Sequence, residues 1–156
     1  MKTSIVVVTV MAVTTIFIGW VISPYRLIDP HNGLGYILGW TGASLMALMF
    51  SYSMHKRFEW MWKIGKTAEW FNIHQLLGIF GPITILYHSN YHLGSPNSNI
   101  ALFSMLIVAA SGIIGRYLRN RKGFERLFSA WHVGHLPIVF IMIICVFVHV
   151  ITVHVY

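Results

Sequence analysis

The chain has 156 residues, 56% of them hydrophobic and 10% charged, with a formal net charge of +7. Fifteen Asp, Glu, Lys and Arg side chains cannot cover the surface of a water-soluble domain of this length. A soluble globular protein is therefore excluded, and an all-α integral membrane bundle is expected. The positive balance does not point to nucleic acid either, because nine of the eleven Lys and Arg residues fall in two short connections between apolar runs.

Five apolar runs follow one another, at about residues 5–22, 34–53, 70–91, 99–115 and 133–155. Each approaches the roughly 20 residues that a helix needs to cross a bilayer. The first, IVVVTVMAVTTIFIGWVI, follows Met1 and Lys2. It is long for the apolar part of a signal peptide and no small-x-small cleavage site follows, so a retained helix is expected. The 23–33 connection carries only Arg26 and Asp29, and 92–98 (HLGSPNS) has no charge and reads as a compact turn-rich link. The 54–69 connection carries Lys56, Arg57, Lys63 and Lys66; the 116–130 connection carries Arg116, Arg119, Arg121, Lys122 and Arg126. The positive-inside rule then puts the N-terminus inside and the C-terminus outside, in a single-domain, multi-pass protein of a bacterial-type cytoplasmic membrane. Trp60, Trp62, Trp70 and Trp131 gather near the basic connections, as interfacial aromatics do, and the basic stretches suit lipid anchoring at headgroup level.

Nine histidines are present, and four of them form a pattern. His74 and His88 lie on the third run, His135 and His149 on the fifth, and both intervals are 14 residues. On a helix this is just under four turns, a rise of about 21 Å, so each pair shares a face. Both helices are expected to run outward, which makes His74 and His135 an inner layer and His88 and His149 an outer one. A histidine facing lipid is costly unless its ring is ligated or buried. Two neutral imidazoles complete a low-spin haem site, so the spacing suits two haems at two depths. Cys145 is the lone cysteine and no CxxCH occurs, so such haems are non-covalent and b-type.

Around the histidines, Gly78, Gly81, Gly112 and Gly115 allow a helix or a flat ring to lie against backbone. Pro82 should kink the third helix, and Arg116 is placed to pair with propionates of the inner haem. His92 and His154 compete as outer ligands and His132 as an inner one. Pro137 restricts the residue before it; a fifth helix that began there would leave His135 outside. His31 and His55 fall in connections and are expected to be solvated. Met46, Met49 and Met142 suit packing or lipid contact.

This arrangement resembles the transmembrane part of the ferric reductase and NADPH oxidase superfamily, including its bacterial branch that serves a periplasmic methionine sulfoxide reductase. The resemblance covers roughly residues 34–155. It implies that the third and fifth helices hold two stacked haems, with His74, His88, His135 and His149 as the ligands. Family members usually have a further helix, and often an attached flavin and nicotinamide module. Neither is found in these residues, so a self-sufficient reductase is not expected.

The function expected is a di-haem b-type cytochrome that transfers electrons across the membrane between separate redox proteins. One alternative is a quinol-oxidising or quinone-reducing subunit, with a quinone held by Ser89, Asn90, Tyr91 and His92 or by Asn72 and Gln75. The other is a small structural subunit of a larger membrane respiratory complex. A transporter is disfavoured because the apolar runs contain no Asp, Glu, Lys or Arg to mark an ion path.

Overall fold

The computed structural model describes residues 2–119 and 121–155, which are all helix and connection with no strand. The helices are α1 (Lys2–Ile22), α2 (Gly33–Leu48), α3 (Phe50–Arg57), α4 (Thr67–His88), α5 (Pro96–Arg119) and α6 (Glu125–Val155). Short 3-10 turns occupy Ser23–Tyr25 and Glu59–Lys63. Residues 1–92 form one compact unit and residues 93–156 another.

Local chemistry sets the ends of these helices. After α1 the Ser23 hydroxyl donates to the Trp20 carbonyl at 2.8 Å, and Arg26 adopts a left-handed conformation that stops the turn. At the start of α4 the Lys66 backbone N–H is held by the Glu69 carboxylate at 3.0 Å, which satisfies a donor the helix leaves open. Pro96 opens α5, where a missing N–H costs nothing, and Ser95 accepts from the Ser98 N–H at 3.3 Å. Gly123, with φ +85°, turns the chain into α6.

Among the described residues four spans are long and apolar enough to cross a membrane: Val7–Tyr25, Gly33–Arg57, Pro96–Arg119 and Glu125–Val155. The second joins α2 and α3, which are separated only at Met49. This is the make-up of a multi-pass helical membrane protein. Helix α4 has 22 residues, enough for a span, yet it is less apolar because it carries Asn72, His74, Gln75, Thr84 and His88. Large apolar side chains lie outside: Phe17, Trp20, Ile37, Ile113, Phe140, Ile144 and Phe147 are each at least 60% exposed. Such an apolar exterior is what lipid, rather than water, solvates.

The structure differs from the sequence expectation at three informative places. Helix α4 stops at His88 instead of continuing to 91, because Asn90 and Tyr91 take left-handed conformations with φ 48° and 57°. The Asn90 amide spans back to the Ser23 carbonyl at 3.2 Å, and Tyr91 packs over Gly19, so tertiary contacts hold a conformation that non-glycine residues rarely adopt. Helix α6 begins at Glu125, well before Pro137, and runs through it. His135 is therefore inside the helix, and the 14-residue interval to His149 is helical throughout. His55, expected to be solvated, is instead the most enclosed large side chain at 2% exposure. The 54–69 segment folds over it: Trp70 lies 5.4 Å from its ring and its Nε2 is 3.4 Å from the Gly65 carbonyl.

Candidate histidine site

In the first unit, α2 and α4 pack antiparallel along a seam of small residues. A methyl added at Gly42 would meet Ile85 at 2.6 Å, one at Gly81 would meet Met46 at 3.1 Å, and one at Gly78 would meet Met49 at 3.3 Å. Backbones approach closely where side chains are absent. This close approach brings both α4 histidines against main chain of the neighbouring helix. His88 Nδ1 lies 2.8 Å from the Gly35 carbonyl, and His74 Nδ1 lies 3.1 Å from the Met49 carbonyl. Gly35 and Met49 are themselves 14 residues apart, the same interval as the histidines they hold.

Gly39 decides whether the His88 contact can exist. A side chain there would put its first carbon 2.8 Å from His88 Nδ1, inside van der Waals contact. The Met49 contact has a different origin: Met49 is the break between α2 and α3, and at such a break the regular carbonyl ladder is interrupted. Tyr52 and His74 rings are 5.3 Å apart, and Tyr52 also contacts Phe71 at 5.6 Å. A carbonyl only accepts, so both imidazoles donate from Nδ1. Their Nε2 atoms then carry the lone pair that a metal takes.

The second unit repeats the arrangement with different chemistry. Helices α5 and α6 run antiparallel, and Ser98 Oγ lies 3.2 Å from His149 Nδ1. Near the other end Ser111 Oγ bonds to His135 Nδ1. Trp131 fills the space above Gly115, donates from its indole N–H to the Ser111 carbonyl at 2.8 Å, and stacks on His135 at 4.8 Å and 27°. Ser98 and Ser111 are 13 residues apart, matching the separation of the α6 histidines to within one residue.

All four of these histidines are half-buried, whereas His31, His92, His132 and His154 are exposed. The competitors are also held differently. His92 Nδ1 bonds to the Asn90 carbonyl two residues back, and His154 Nδ1 to the Val150 carbonyl one turn back. His132 contacts the Phe128 and Trp131 rings on its own helix. Among the described residues no three His, Cys, Asp or Glu side chains converge.

The glycines proposed to admit a flat ring are mostly used by protein. Gly78 and Gly81 receive Met49 and Met46, and Gly115 receives Trp131. Gly112, beside Ser111, would meet nothing within 4 Å and keeps its face open. Arg116 lies one turn beyond Gly112, half-buried on a helix that carries no acidic residue. The polar group at residues 89–92 is largely committed to packing: the Asn90 side-chain amide donates to the Ser23 carbonyl and its backbone carbonyl bonds to His92. Asn72 is exposed and Gln75 half-buried on α4.

Sequence reasoning missed the residues that orient the rings, namely Gly35, Gly39, Met49, Ser98 and Ser111, and it read Trp131 as an interfacial aromatic only. The 13-residue Ser98–Ser111 interval on the helix before His135 and His149 was the available signal. No family model, curated protein or solved structure matches this chain.

Proposed function

We propose that this chain is a di-haem b-type membrane cytochrome that carries electrons across a bacterial-type cytoplasmic membrane between separate redox proteins. The observation that carries the reading is the shared treatment of four imidazoles. Each is half-buried, and each has its Nδ1 held by the antiparallel neighbouring helix of its own unit. Anchoring one ring nitrogen orients the ring and leaves Nε2 as the ligating atom, the usual arrangement for histidines on iron.

In this reading His74 and His135 hold the inner iron and His88 and His149 the outer one. Helix α4 is then a fifth span, its polar residues serving the cofactor side of the helix, with the N-terminus inside and the C-terminus outside. Arg116 neutralises a propionate of the inner haem, a role favoured by the lack of acids on α5. Held by these imidazoles, haem would supply one-electron transfer. The protein's part is to fix the rings and exclude water.

The deciding experiment is purification of the full chain in detergent, followed by a haem-to-protein ratio and a dithionite-reduced spectrum. A b-type spectrum with about two haems per chain is expected. Protein that is folded and helical yet haem-free when expressed with ample haem would overturn the proposal.

A further inference from the structure

The connection between α5 and α6 forms a pocket of about 230 Å³ lined by Leu118, Arg119, Arg121, Lys122, Glu125 and Phe128. Three cations and one carboxylate converge there, and apolar Leu118 and Phe128 supply wall on the same pocket. The volume is below that of a typical drug-sized ligand site, so the pocket suits a headgroup-sized anion better than a nucleotide. The loop that builds it is fixed by its own hydrogen bonds. The Arg121 N–H donates to the Leu118 carbonyl at 3.2 Å, and the Gly123 N–H donates to the Glu125 carboxylate at 3.1 Å. Arg121 also lies over the Tyr117 ring at 4.8 Å, which restrains the guanidinium.

The pocket sits where the apolar span Pro96–Arg119 ends and the span from Glu125 begins. Tyr117, Phe124 and Leu127 around it are 55%, 42% and 52% exposed, as side chains at a membrane boundary are. A basic pocket with apolar walls at that level offers charge to a phosphate and apolar surface to the chain attached to it.

We propose that this turn binds the phosphate of an anionic phospholipid, with Arg119, Arg121 and Lys122 facing the phosphate and Leu118 and Phe128 facing the glycerol and first acyl carbons. The site takes a net-negative headgroup such as phosphatidylglycerol. It disfavours a zwitterionic one, whose ammonium meets the same cations.

The test is native mass spectrometry of the full chain in micelles, titrated separately with phosphatidylglycerol and phosphatidylcholine, with inorganic phosphate as a competitor. Wild-type protein should retain phosphatidylglycerol preferentially, and the double variant R121Q/K122Q should retain it roughly tenfold less or weaker still. K63Q/K66Q, which removes equal charge from the other basic connection, should behave as wild type. E125Q removes the one carboxylate while keeping an acceptor for Gly123, and should strengthen retention. Equal retention by wild type and R121Q/K122Q overturns the site, and so does equal loss in K63Q/K66Q. Binding of inorganic phosphate without a preference between the two lipids assigns the pocket to a free anion and overturns the lipid. If R121Q/K122Q does not fold, E125Q decides alone, and unchanged or weaker retention contradicts the proposal.

Discussion

The two units hold their histidines by the same ring atom but by different partners. In residues 1–92 the partner is backbone, the carbonyls of Gly35 and Met49, reached across a seam where Gly39, Gly42 and Gly81 let helices close up. In residues 93–156 the partner is a serine hydroxyl, and Trp131 fills the approach that a larger residue at Gly115 would block. A carbonyl is a fixed acceptor and dictates which ring nitrogen carries the proton. A hydroxyl can donate or accept, so the α6 rings keep freedom that the α4 rings lack. The first unit therefore encodes ring orientation in helix spacing, and the second encodes it in side chains.

The largest effect expected on this contrast comes from the rings themselves. Alanine at His74, His88, His135 or His149 should each lower bound haem from about two to about one per chain, read by haemochrome assay against protein. Variants at 74 and 135 should lose the same spectral component, and variants at 88 and 149 the other. Loss of one component by His74→Ala and the other by His135→Ala would break the proposed layers.

Next in size is Gly39→Val. Its side chain collides with the His88 ring, and overpacking of this kind costs about 1–3 kcal/mol. The outer haem should be lost and thermal unfolding in detergent should come earlier. Gly134→Ala makes the counter-test, because a methyl there meets nothing within 4 Å. It should leave haem content alone and stabilise α6 by roughly 0.5–1 kcal/mol, the ordinary gain of Ala over Gly in a helix.

How much of this could be read from the residues depends on which kind of contact is at stake. The four histidines, the apolar helices and the charged connections are periodic or compositional features, so they were visible in one dimension. The helix end at Asn90 and Tyr91 was not, because these left-handed residues meet partners far along the chain, Asn90 at Ser23 and Tyr91 at Gly19. The enclosure of His55 was hidden for a similar reason: it depends on the 3-10 turn at Glu59–Lys63 and on Trp70 closing over a segment that reads as a polar loop. The start of α6 was obscured by Pro137, a residue that usually disrupts a helix interior but here lies within one. Backbone acceptors such as the Gly35 carbonyl leave no mark on composition at all.

A smaller effect separates the two units directly. Ser111→Ala and Ser98→Ala remove the hydroxyls beside His135 and His149 without touching the rings. Haem should be retained, while a hydrogen bond worth about 0.5–1.5 kcal/mol shifts one midpoint potential per variant by some tens of millivolts. Redox titration reads this, and unchanged potentials in both variants would show that the serines do not act on the rings. The first unit has no equivalent single deletion, since its acceptors are main chain.

The smallest effect concerns the turn before α2. The His31 backbone N–H and the Asn32 amide, each 3.0 Å away, hold the Asp29 carboxyl below its ordinary pKa. A depressed carboxyl contributes stability that is present above its unfolded pKa and is lost as pH falls through the folded one. Amide exchange in residues 29–35 should therefore quicken only on acidification below the usual carboxylate range. Asp29→Ala should show that faster exchange already at neutral pH. An unchanged exchange profile in Asp29→Ala would show that the carboxylate does not hold this turn.

Near-infrared magnetic circular dichroism on the oxidised wild-type protein addresses the central claim most directly, because it reports the identity of axial ligands. Imidazole on both sides of iron at both haems is the predicted result. A methionine-ligated or five-coordinate signature at either haem, or a stoichiometry of one haem per chain at full loading, would contradict the account.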